Sequence, residues 1–219
     1  MIITRRAFTA ALSLTGLAAV AGLSPWRFVE QAVAQSQVAA DLAKPQSLPD
    51  MGLGPKDAPV TIIEYASMTC PHCAAFNDQV FPKIKAAYID TNKIRYVFRE
   101  FPLDIKAATA SMLARCIAKD DPNRFFAVID TLFRQQDNWF GKTLEGLTLI
   151  GKQAGLSEQD ITTCLKDQSL LDKIAADQKF ANEKLKVNST PTFFINGEMV
   201  RGETSFEEFE KKINALLKT

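Results

Sequence analysis

Two cysteines separated by two residues, Cys70-Pro71-His72-Cys73, stand where a strand-like run gives way to a helix-like one. That placement constrains the chain more than any other feature. Upstream, Val60-Thr61-Ile62-Ile63-Glu64-Tyr65 is β-branched and aromatic and is bounded by Pro59, the pattern of a strand. Downstream, Phe76, Val80, Ile84 and Tyr88 recur roughly four apart, which predicts a helix from Pro71 to Ile89. Pro71 suits its first position, where a missing N–H loses nothing. Pro82 falls inside it and is expected to kink it. A helix start presents free N–H groups and the positive end of the dipole, and both stabilise an anion. The thiolate is the reactive form of cysteine. Cys70 is therefore expected to be the nucleophile, and Cys73, one turn further in and more buried, the resolving thiol.

His72 is the only histidine in the chain. Between the cysteines it can add a donor or a positive charge beside the Cys70 sulfur. Stabilising that thiolate favours the reduced protein and makes the disulfide form a stronger oxidant. Metal binding is the competing reading, since Cys70, His72 and Cys73 are all ligand types. A closed zinc site would need Cys116 and Cys164 or a carboxylate in addition, and soft thiolates would suit Cu(I). Two further residues bear on the redox reading. Thr190-Pro191 directly precedes the strand-like Thr192 to Ile195; next to such a motif, a cis bond there is expected beside the active site. It would leave the Thr190 backbone able to pair with an extended substrate chain. Glu64 interrupts an apolar strand that points at Cys70. Either it faces solvent, or it is buried with a raised pKa and can relay a proton to Cys73.

The remaining pattern sets the architecture. Ile94 to Phe101 reads as a second strand, stopped by Pro102. Residues 105–186 carry almost no strand signal and several helical periods: Ala107 to Ala118, a helix opened by Asp121-Pro122, Leu144 to Ala154, a short one capped by Ser157 and Asp160, and Leu170 to Lys186. Asn196-Gly197 is a hairpin turn between Thr192–Ile195 and Glu198–Arg201. Ser205 and Glu208 cap a last apolar-faced helix. The order predicts an α/β fold with a mixed central sheet, residues 60–104 and 187–219, interrupted by an all-helical insertion, residues 105–186. Residues 35–59, rich in proline and glycine, are expected to form an exposed leader.

The start of the chain has its own signature. Arg5-Arg6 precedes an apolar stretch from Ala10 to Leu23, and Ala32-Val33-Ala34 offers a small-x-small cleavage site. Residues 1–34 thus read as a secretory signal. The arginine pair with Thr4 and Phe8 resembles a twin-arginine signal; an ordinary Sec signal and an uncleaved anchor are the alternatives. Removing Arg5, Arg6, Arg27 and Glu30 from 26 basic and 25 acidic side chains leaves the rest almost neutral. That argues against a nucleic-acid partner, which would need a basic surface. Export implies an oxidising compartment, here the periplasm, where disulfides persist.

These residues resemble the DsbA family of bacterial thioredoxin-fold oxidoreductases. The resemblance rests on Ala58-Pro59-Val60, Glu64-Tyr65, Cys70-Pro71-His72-Cys73, Phe76, Phe98-Arg99-Glu100-Phe101-Pro102 and Thr190-Pro191-Thr192-Phe193, and it spans Pro55 to Leu217. It implies a thioredoxin fold with the helical domain inserted, and oxidation of unfolded or folding exported proteins that carry free thiols. It also implies a membrane, quinone-linked reoxidant of the DsbB type, and no cofactor of its own. By position it makes Cys70 the nucleophile, Cys73 the resolving thiol, Glu64 the buried acid and Pro191 the cis-proline. Two departures stand out. Thr190 replaces the valine of the best-known members and resembles the disulfide isomerases, which leaves an isomerase or reductase role open. Cys116 and Cys164 resemble the second disulfide found in a subset of the family. Both sit among apolar neighbours, so a structural bridge is expected rather than a second redox centre; two separate buried thiols are the alternative.

Overall fold

The computed structural model describes residues 36–218 apart from Pro45 and Glu203. The secretory-signal reading, Arg5-Arg6 included, lies outside the described residues.

Three strand-like runs become the centre of the sheet. They are β2 (Val60–Ala66), β3 (Ile94–Glu100) and β4 (Thr192–Ile195). β2 runs parallel to β3, with Glu64 opposite Phe98, and antiparallel to β4, with Glu64 opposite Phe193. The Asn196-Gly197 turn, with φ of 46° and 87°, returns the chain as β5 (Glu198–Arg201) on the edge. Positive φ at both residues is what a two-residue hairpin of matching twist requires. With β1 (Met51–Leu53) on the other edge, the five strands stand in the order β1-β3-β2-β4-β5, a mixed sheet as expected.

The other edge corrects the expectation of an exposed leader over residues 35–59. Residues 36–42 are helical (α1), and Met51–Leu53 forms β1, antiparallel to β3. Leu42, Met51 and Leu53 are buried. Three residues are too few to show a period of two, so the strand exists through its pairing with β3 and not through local pattern. Gly54 closes it at φ 80°; a Cβ there would lie 2.2 Å from the Ile94 carbonyl oxygen. The carboxylate of Asp177 fastens the segment by accepting from the N–H groups of Ser47 (2.7 Å) and Leu48 (3.0 Å).

Alternation along the strands sorts the two faces. Ile62, Ala66, Tyr96, Phe98 and Phe193 point to the larger core, and Ile63, Tyr65, Val97 and Phe194 to a smaller one that includes Leu42 of α1. The larger core is closed by α2 (Pro71–Gln79), α3 (Phe81–Ile84) and α10 (Phe206–Leu217). Phe76 of α2 packs on Phe193 at 4.6 Å between ring centroids and on Phe209 at 5.6 Å. The helix expected over Pro71 to Ile89 breaks at Val80, ahead of Pro82, and ends in a π-turn, Lys85–Ile89. Pro82 cannot donate into the preceding turn.

Between β3 and β4 the regular structure is all helix. α4 (Ile105–Ala118), α5 (Pro122–Arg134), α7 (Thr143–Gln153), α8 (Glu158–Leu165) and α9 (Gln168–Glu183) follow the sequence pattern, and the short α6 (Gln136–Phe140) was not foreseen. Asp104, Asp121, Ser157 and Asp167 each accept from an N–H of the first turn they open. α4 is tied to the end of β3 by an ion pair. The buried Arg115 guanidinium forks onto the Glu100 carboxylate at the end of β3, with Nη2 donating to Oε2 at 2.6 Å, and Nη1 reaches the Pro49 carbonyl at 2.7 Å.

Candidate active site

β2 ends at Ala66, and four residues later the chain enters α2. The turn between is tied from three sides. The Thr69 hydroxyl donates to Asp104 Oδ2 (2.7 Å), the Leu103 N–H to Ser67 Oγ (3.2 Å), and Gln136 Nε2 to the carbonyls of Met68 (2.8 Å) and Cys70 (3.2 Å). Asp104 and Gln136 belong to the start of α4 and to α6, so the helical insertion shapes the turn that carries Cys70. Neither residue carried a signal in the sequence, because a lone amide or carboxylate far along the chain has no local pattern.

Cys70 is the N-cap of α2 and Pro71 its first helical residue, which exposes the helix N–H groups to the sulfur. Its thiol donates to the Thr190 carbonyl at 3.3 Å. The Thr190–Pro191 bond is cis and sits beside Cys70. The Thr190 hydroxyl is buried without a hydrogen-bond partner. The Cys70 pKa is lowered to about 5. Donation from the Cys73 thiol is the main cause; burial opposes it, and Thr190 and the backbone N–H groups of Cys73 and His72 add to the lowering. The His72 side chain is exposed, and its contribution to Cys70 comes through the backbone.

Cys73 is the opposite case. It is fully buried, and desolvation, then Cys70 and Glu64, hold its pKa well above the ordinary thiol value. At neutral pH one sulfur is an anion and its neighbour a thiol, the pairing that thiol–disulfide exchange needs.

Glu64 is buried, and the strand alternation turns it with Ile62 and Ala66 toward α2. Of the two readings open in the sequence, the buried one holds. Burial pushes its pKa up to about 8, and the Tyr96 hydroxyl, donating to Oε2 at 2.7 Å, holds it from rising further. A carboxyl in that range can give or take a proton near neutrality. Sequence reasoning missed Tyr96. The signal that could have found it is a tyrosine in the apolar run of β3, on the same face as Glu64 once β2 and β3 are parallel.

Cys116 and Cys164 are bonded to each other, joining α4 to α8 with Cα atoms 6.1 Å apart. That takes them out of any ligand set with Cys70, His72 and Cys73.

A family model described as Thioredoxin (Thioredoxin_4) matches residues 46–215. The crystal structure of Wolbachia pipientis alpha-DsbA1 is similar at a TM-score of 0.74 and 36% identity, over 82% of this chain and 96% of that one. The chain belongs to the DsbA family. Among curated relatives, a Rickettsia bellii protein with a provisional protein-disulfide oxidoreductase name is 43% identical over 150 residues, 68% of this chain. The chain spans 57% of that relative's length. Disulfide bond formation protein D of Bacillus subtilis is 27% identical over 171 residues, 76% of each protein. The DsbA-family thioredoxin fold matches the sequence expectation, with the cysteine pair at the start of α2 and the helical insertion between β3 and β4.

Proposed function

We propose that this chain is a thiol–disulfide oxidoreductase that acts as a dithiol oxidase on exported proteins, through the Cys70–Cys73 disulfide. The observation that carries the reading is the split between the two sulfurs: Cys70 is lowered to about 5 at a helix start, and the buried Cys73 is held high. A substrate thiolate attacks Cys70 Sγ, the Cys70–Cys73 bond breaks, and Cys73 leaves as a thiol once Glu64 supplies a proton. The substrate's second thiolate then attacks its own sulfur in the mixed disulfide. It leaves with a disulfide, and Cys70 returns as a thiolate. A low thiol pKa makes Cys70 a good leaving group in that second step.

Four features support roles beyond the cysteines. Pro71 frees the helix start, Pro191 brings Thr190 against Cys70, Thr190 offers its hydroxyl to the thiolate, and His72 adds its N–H. The signal-like residues 1–34 support export to the periplasm, and the DsbA resemblance supports reoxidation by a membrane partner of the DsbB type. Among the described residues, no helix is long and apolar enough to cross a membrane.

Thr190, at the position where it resembles the isomerases, favours the second reading, a reductase or isomerase on the same site. Equilibrating Cys70–Cys73 against glutathione separates the two. A potential well above thioredoxin's, which lies at about −270 mV, is expected for the oxidase; a value at thioredoxin's level assigns the reductase. Titration of the thiolate absorbance should give a midpoint near 5 that Cys70→Ser abolishes.

A further inference from the structure

Among the described residues, Tyr96 of β3 acts on Glu64 alongside Cys70 and Cys73. Its hydroxyl donates to Glu64 Oε2 at 2.7 Å, and its side chain is fully buried. The ring is fixed by Phe81, 5.0 Å away, and Phe126, 6.1 Å away, so the hydroxyl has little freedom to turn from the carboxyl. The residues opposite Glu64 on both neighbouring strands are apolar. Phe193 of β4 lies opposite it, Phe98 of β3 lies opposite on the other side, and the core residues of α10 are Phe209 and Ile213. Among the described residues, the titratable groups that act on it are Cys70 and Cys73 of the active-site turn and α2, and Tyr96 of β3.

We propose that Tyr96 is a positioning residue for the resolving half-reaction: its hydroxyl supports the Glu64 carboxylate each time Glu64 has given its proton to Cys73. The inference rests on the proton-relay role proposed for Glu64. In the forward step the substrate thiolate, the Cys70–Cys73 disulfide and the Glu64 carboxylic acid become the mixed disulfide, the Cys73 thiol and the Glu64 carboxylate. One S–S bond breaks, one forms, and one proton passes from Glu64 to Cys73. The negative charge therefore moves from the substrate sulfur to a buried carboxylate, where water cannot reach it. A phenol donating to a carboxylate makes a charge-assisted bond, stronger than the same bond to a neutral acid. Tyr96 thus favours the charged state selectively, and in regeneration the carboxylate it holds takes the proton back from Cys73. Tyr96 itself keeps its proton throughout, because burial and the neighbouring Glu64 raise its own pKa well above the ordinary phenol value.

Tyr96→Phe tests this with the ring packing retained. The Glu64 carboxyl is followed by carbon-13 NMR in wild type and in Tyr96→Phe, with Glu64→Gln identifying the signal. The midpoint should rise by about one pH unit when a hydrogen bond to the charged form is lost. In parallel, the pH dependence of the second step of reoxidation by oxidised glutathione, release of the mixed disulfide by Cys73, should move upward by the same amount. In a Glu64→Gln background, Tyr96→Phe should leave that profile where it was. An unmoved carboxyl midpoint in folded Tyr96→Phe overturns the proposal, as does a kinetic shift that persists without Glu64. The NMR arm needs no turnover. A moved carboxyl midpoint with an unmoved kinetic profile therefore rejects the relay reading of Glu64, and an unmoved midpoint rejects the role of Tyr96 alone.

Discussion

Glu64 shows how a single buried side chain can make stability depend on pH. Its folded pKa of about 8 lies above the ordinary 4.5, with burial as the largest cause. An unfolded chain ionises this residue first, so between those two values the native state binds one proton more. Stability is then fully present below the lower value and is lost as pH rises toward the upper one. The slope is about 1.4 kcal/mol per pH unit at most. Oxidised protein, in which Cys70 and Cys73 do not titrate, should show this decline in denaturant unfolding across that window, and Glu64→Gln should flatten it. A wild-type profile already flat there would mean that the carboxyl is solvated. The residue was visible in the sequence as an acid within an apolar strand. Its burial was not, because the period-two pattern allows either face until α2 is seen to cover one of them.

At the scale of elements, the helical insertion is held by a disulfide and by packing at once. Cys116 lies in α4 and Cys164 in α8, at a sequence separation of 48. Around the bridge, Leu113, Ile117, Ile161 and Ile150 are buried. Closing a loop of this length stabilises by ~4 kcal/mol in the chain-entropy model. The double variant Cys116→Ala/Cys164→Ala should therefore unfold with a free energy lower by ~2–4 kcal/mol, read from the urea midpoint at unchanged slope. An unchanged midpoint would show that apolar contacts alone hold α4 to α8. Helix starts were legible here because caps are local: Asp121 before Pro122, Ser157 with Asp160 and Ser205 with Glu208 all stand where the sequence places them. α1 and β1 were not legible. Their stability comes from the partners they meet, β3 and the second face of the sheet.

For the whole molecule the redox state and the stability are linked through Cys70. Its folded pKa of about 5 lies below the ordinary 9.0. Between those values the native reduced protein has already lost the proton that the unfolded chain keeps. The stabilisation is therefore complete above the upper value and is lost as pH falls through the lower one. In the reduced protein this rise opposes the fall caused by Glu64, and unfolding free energy should be nearly level from about 5 to about 8. The oxidised protein keeps only the fall. The reduced form should therefore gain on the oxidised form as pH rises, which thermal unfolding of both forms across that range will measure. A gap that does not widen with pH would remove the support that a stabilised Cys70 thiolate gives to the proposed oxidase role.

Sequence by itself determined the parts of this protein that are local in the chain. The cysteine pair at a strand–helix junction, the proline that opens the helix, the hairpin turn, the helix caps and the long strand-free block each follow from residues within a few positions of one another. Tertiary structure decided whatever joins distant residues. It placed Tyr96 on Glu64, Gln136 on the turn before Cys70, Asp177 on the segment ahead of β1, Arg115 on Glu100, and the Thr190 carbonyl on the Cys70 thiol. The physical reason is the same in each case. A hydrogen bond or a buried charge depends on which faces are brought together and on what excludes water between them. Neither is set until β3, β2 and β4 are paired and the helical insertion is packed over their ends.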